Sequence, residues 1–115
     1  MTKNLQNWVD IAPVTIAPGY RARFIHSVTM TFALWDVESG APLPEHSHPH
    51  EQVTHLLEGE FEITVDGLVH RMKAGDVLVI ASHAVHSGVA VTACQILDVF
   101  SPVREDYVLD IGHNR

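Results

Sequence analysis

The sequence predicts an all-β fold, a sandwich or barrel of short strands. Apolar and polar residues alternate with period two in several segments. Gly and Asp turn signals recur between those segments at close spacing. No ten-residue window shows convincing helical periodicity. The 115 residues suggest a single domain, 1–115, large enough to bury a core without disulfides.

The elements follow in order. Residues 1–18 read as an edge strand or arm, because Pro13 and Pro18 forbid a long helix and suit a sheet edge. Residues 20–28, 30–37 and 53–57 are extended in character. Phe61-Glu62-Ile63-Thr64-Val65 alternates and then meets Asp66-Gly67, a tight-hairpin signal because both central residues of that turn need positive φ. Residues 68–72 return, Lys73-Ala74-Gly75-Asp76 turns again, and 77–81, 85–91 and 94–100 follow as strands. No internal repeat, low-complexity tract or linker interrupts them.

Composition excludes several function classes. The formal net charge is −7, so no basic surplus exists to neutralise nucleic-acid phosphates or an anionic membrane. An acidic small molecule needs a local cation, either a metal or a well-placed Arg. Cys94 is the sole cysteine and reads as a small core residue. No apolar run approaches the roughly 20 residues of a membrane-spanning helix. MTKNLQNWVD lacks a signal-peptide core, so a soluble, cytoplasmic protein is expected.

Residues 46–52, His-Ser-His-Pro-His-Glu-Gln, carry the functional signal. Imidazole is the commonest metal ligand at neutral pH. Two His separated by one residue point the same way from an extended strand, so His46 and His48 can converge on one ion. Gln52 has the same parity and adds an amide oxygen. His86 lies one strand pair downstream. Together they make three nitrogens and one oxygen. Such a set suits nickel, zinc, iron, manganese or cobalt, and ligand type alone does not choose among these divalent ions. His50 reads as surface or as a neighbour of the ligands, and His55 should face away. His26, His70, His83 and His113 read as solvated or hydrogen-bonded surface.

These residues resemble the cupin motifs. Gly40, His46, His48, Gln52 and Gly59 keep every spacing of the first motif, with Gln where most cupins have Glu. Gly75 and His86 keep the second, while Ala81, His83 and Ala90 replace its Pro, Gly and Asn. The resemblance implies a cupin (double-stranded β-helix, or jelly-roll) barrel. A neutral Gln oxygen leaves the ion its full charge, a stronger anchor for an anionic or enolic oxygen.

A second group lies downstream. Ile96, Asp98 and Phe100 share a face by period two, and a carboxylate among apolar residues is costly unless paired or used. Arg104 can meet a carboxylate with its planar fork, and Phe100 offers an apolar wall for a sugar ring. Asp-x-Phe-x3-Arg, with HSHPHEQ and LEGEFE upstream, resembles the KdgF family of pectin-degradation cupins. That resemblance implies ring opening of 4,5-unsaturated monouronates to the linear ketone 4-deoxy-5-hexosulose uronate. It implies Asp98, Arg104 and Phe100 as the active-site residues and a small acidic sugar as the partner. Other cupin enzymes (polyketide cyclases, dioxygenases) and a non-catalytic sugar-binding module are the alternatives. Trp8, Trp35 and the Val-rich strands are expected to build a homodimer interface.

Overall fold

Turn chemistry sets where the strands stop. A computed structural model describes residues 4–112. Within them lie ten strands: β1 (Val14–Ala17), β2 (Tyr20–His26), β3 (Thr31–Val37), β4 (Pro42–His46), β5 (Glu51–Glu58), β6 (Glu60–Val65), β7 (Leu68–Lys73), β8 (Val77–Ile80), β9 (His86–Ala90) and β10 (Cys94–Ser101). Asp66 and Gly67 both take positive φ, 47° and 83°, and join β6 to β7 as the sequence predicts. Gly59, at φ 90°, turns β5 into β6 where a Cβ would overlap the Ala93 carbonyl oxygen. No other residue type fits there without a shift.

The strands form two antiparallel sheets. The larger has the order β1-β2-β3-β10-β5-β8 and the smaller β4-β9-β6-β7. This is the expected jelly-roll barrel. Pro13 and Pro18 flank β1, which sits at the edge of the larger sheet.

Cross-strand register turns sequence parity into layers. On the inner face of the larger sheet, His26, Thr31, Phe100, Gln52 and Ile80 form one row. Phe24, Ala33, Asp98, Thr54 and Leu78 form the next, and Ala22, Trp35, Ile96 and Leu56 lie deeper. Most of these side chains are buried, and Phe61, Ile63 and Met72 of the smaller sheet close the core against them. Cys94 is buried in the same core as a free thiol.

The structure departs from the sequence reading in three places. The chain forms a helix, α1 (Glu105–Gly112), where none was expected. At eight residues it is too short to show a period. It is held by the burial of Tyr107, whose ring stacks on Phe24 with centroids 4.5 Å apart. Second, Trp35 is 7% exposed and belongs to the inner face, so it is core and not interface. Burial of its large ring outweighs any surface role. Third, β4 ends at His46, so His46 and His48 do not share one strand. Residues 1–3 and His113 lie outside the described residues.

Candidate metal centre and active site

The histidines converge even though strand parity does not bring them together. His46 closes β4 and is the cross-strand partner of His86, the first residue of β9. His48 follows in the loop before Pro49. That loop is tied to the turn ahead of β9: the His83 amide donates to the His48 carbonyl at 2.8 Å, and the Ser82 hydroxyl donates to the Pro49 carbonyl. His83 holds φ 66°, a left-handed value usual for glycine. The turn that the second motif builds with glycine is therefore kept without it.

Each ring is oriented by the backbone. Nδ1 of His46 bonds the Pro44 carbonyl at 2.8 Å, Nδ1 of His48 the His50 carbonyl at 3.1 Å, and Nδ1 of His86 the Ala84 carbonyl at 2.9 Å. A carbonyl oxygen only accepts, so every Nδ1 carries the proton and every Nε2 presents a lone pair. One ligand nitrogen from each ring lies within 4.8 Å of the other two. His86 Nε2 is buried with no hydrogen-bond partner. Burial holds His86 below its ordinary pKa, and burial with the Arg104 and His86 charges brings His48 down to about 4. Both rings are therefore neutral at pH 7, the form that binds metal.

Gln52 completes the set. It is the second residue of β5, faces inward and is buried. Its Oε1 lies 3.1 Å from His48 Nε2, two acceptor atoms facing each other. Two lone pairs at that distance repel each other, and a cation beside them relieves that repulsion. The orphaned His86 Nε2, the fixed tautomers and an opposed oxygen together fit a divalent metal ion held by His46, His48, Gln52 and His86.

A hydrogen-bond chain leads away from this cluster. Gln52 Nε2 donates to Thr54 Oγ1 at 2.9 Å, and the Thr54 hydroxyl donates to Asp98 Oδ1 at 2.7 Å. Asp98 is 8% exposed. Burial pushes its carboxyl up to about 6, against the opposing pull of Thr54, Gln52, the Trp35 indole and the Arg104 charge. The Trp35 N–H faces the carboxylate without completing a well-formed hydrogen bond.

Arg104 forms the other wall. Its guanidinium lies 4.7 Å from the Phe100 ring centre and 4.1 Å from that of Tyr107. Nε and Nη2 bond both oxygens of Asp106, at 3.0 and 2.8 Å. Its backbone N–H donates to Thr31 Oγ1 at 2.9 Å. Phe100 is buried, lines the same cavity and carries the Arg104 guanidinium against its ring. One cavity is lined by the polar residues His46, His86, Gln52, Asp98 and Arg104 and by the apolar residues Leu43, Phe61, Ile63 and Ile96.

The remaining histidines divide as follows. His50 packs near His48 and Phe100, with ring centres 5.5 and 6.4 Å away. His55 falls on the outer face, opposite in parity to Gln52 and Thr54. His83 is exposed and His70 half-buried, whereas His26 bonds Thr31 Oγ1 at 2.8 Å. Thr54, Asp106 and Tyr107 are site residues the sequence reading did not pick out. For Thr54 a signal existed: it shares the parity of Gln52 and of the buried Leu56.

The cupin domain family matches residues 33–100. The chain is 31% identical over 71 residues to the pectin degradation protein KdgF of Dickeya dadantii (strain 3937), covering 60% of this chain and 64% of that protein. The chain thus spans under two thirds of that relative in the match. The solved structure of KdgF from Halomonas sp. is 26% identical with a TM-score of 0.86, covering 92% of this chain and 99% of that one. An RmlC-like cupin from Shewanella frigidimarina NCIMB 400 is 28% identical with a TM-score of 0.87, covering 92% and 96%.

Proposed function

The chain belongs to the cupin family, and we propose that it is a metal-dependent enzyme of pectin or uronate catabolism that opens 4,5-unsaturated monouronates to 4-deoxy-5-hexosulose uronate. The observation that carries this reading is a three-His cluster, two of whose members, His46 and His86, line one cavity together with Gln52, the buried Asp98 and Arg104. Likeness to the two KdgF proteins supports the substrate class.

The reaction is an isomerisation and needs no redox partner. Opening removes the anomeric hydroxyl proton and breaks the bond from C1 to the ring oxygen, leaving an enolate. C4 then takes a proton, and the ketone forms at C5. Asp98 accepts the first proton and returns one to C4. A carboxyl held at about 6 has both forms available near neutral pH. Arg104 binds the substrate carboxylate through Nη1, which lies outside the Asp106 pair, while Asp106, Phe100 and Tyr107 hold the guanidinium in place. The divalent ion, when bound to His46, His48, Gln52 and His86, supplies Lewis-acid stabilisation of negative charge on a substrate oxygen.

The test adds metal-loaded protein to unsaturated uronates freshly made by a lyase and follows the ring alkene and the linear ketone by NMR. Alkene loss above the spontaneous rate is expected. A rate equal to the spontaneous one refutes the proposal. The apolar lining residues favour one second reading, a cupin enzyme acting on a less polar ring, which the same assay separates.

A homodimer is part of the proposal. On the outer face of the larger sheet, Ile25, Phe32, Val99, Val53 and Val79 form one apolar row. Val77 and Val79 are 56% and 62% exposed. This face, not Trp35, would bury against a second copy.

A further inference from the structure

We infer that Thr54 is a positioning residue that turns the Gln52 amide so that its oxygen, not its nitrogen, faces the histidine cluster. This rests on the metal-site reading above. Glutamine differs from glutamate in having two unlike ends, and only one of them can bind a cation. Thr54 and Gln52 are two residues apart on β5 and share its inner face, while Asp98 is the cross-strand partner of Thr54 on β10.

Thr54 has one hydroxyl hydrogen, and it goes to Asp98 Oδ1 at 2.7 Å. Only lone pairs remain for Gln52, so the amide presents Nε2 to Thr54 at 2.9 Å. Oε1 is thereby aimed at His48 Nε2, 3.1 Å away. Turned round, the amide would set its oxygen against the hydroxyl oxygen and offer N–H groups to the histidine lone pairs. That arrangement satisfies the metal-free cluster and opposes a cation. Thr54, with the Asp98 carboxylate behind it, holds the amide in the orientation that is unfavourable without metal and productive with it.

The experiment measures affinity for nickel and for zinc alone, by competition with a chromophoric chelator on initially metal-free protein. Thr54→Val keeps the shape and loses the hydroxyl. It should weaken metal binding by about tenfold or more, the usual cost of losing a group that orients a ligand. Thr54→Ser should stay within about twofold of wild type, since the hydroxyl is retained. In a Gln52→Glu background both ends of the side chain are oxygen, and Thr54→Val should then change affinity by no more than about twofold. Equal weakening in both backgrounds, or none in either, overturns the assignment. If Thr54→Val fails to fold, judged by circular dichroism, Thr54→Ala takes its place in the same cycle. A wild type that binds neither ion removes the metal reading and this inference together. An intact cycle with no uronate turnover removes only the substrate proposal.

Discussion

Replacing Asp98 with Asn should stabilise the metal-free protein at neutral pH while abolishing turnover. Burial raises the Asp98 carboxyl from 3.8 to about 6. Between those values the folded protein keeps a proton that the unfolded chain has released. Stability therefore falls as pH rises through that window, and the ionised buried form carries the cost above pH 6. A rise of about two units corresponds to about 3 kcal/mol. Asn is neutral at every pH and its carbonyl still accepts from Thr54. Urea unfolding of wild type and Asp98→Asn, both stripped of metal, should be compared from pH 4 to pH 8. Taking the difference cancels the titration of the histidines, whose environments the two proteins share. At pH 4 the variant gains little. By pH 7 its advantage should grow by about 3 kcal/mol. A difference that stays flat with pH refutes the claim that Asp98 is a desolvated carboxyl, and with it the basis for its acid/base role.

Asp106→Asn removes the charge that fixes Arg104. The KM for unsaturated uronate should rise about three- to tenfold with little change in kcat, as expected for lost ground-state positioning, and an unchanged KM counts against Arg104 as the carboxylate anchor. Gly59→Ala should cost at least about 2 kcal/mol in a urea titration, because the residue needs φ 90° and a Cβ meets the Ala93 carbonyl. A loss below about 0.5 kcal/mol would mean the turn relaxes freely. Val79→Lys on the outer face should shift sedimentation from dimer toward monomer without changing metal affinity, and a dimer that persists unaltered places the interface elsewhere.

The legible parts of this protein are those governed by local rules. Period-two alternation located the strands, and Asp66-Gly67 located a hairpin. Motif spacing picked out His46, His48, Gln52 and His86, which the fold brings together. The route to convergence was not legible. His48 leaves the strand, and its ring is aimed by a backbone carbonyl two residues on, a contact that spacing cannot reveal. The α1 helix was hidden because eight residues give barely two turns, and its stability comes from tertiary burial of Tyr107, not from its own pattern. With it went Asp106 and Tyr107, the partners that hold Arg104. Thr54 was missed because a hydroxyl in a mixed strand looks ordinary until its neighbours are known.

Strand β10 carries two unrelated surfaces on alternate residues. Ile96, Asp98 and Phe100 face the cavity, while Leu97 and Val99 face outward. Insertions and deletions are therefore constrained unequally along the chain. One codon lost within β10 ahead of Asp98 would slide the register by one, send the carboxylate to the outer surface and bring Leu97 into the cavity. The chemistry and the exterior would fail in a single step. Within β10, therefore, change should come by substitution and not by loss or gain of a residue.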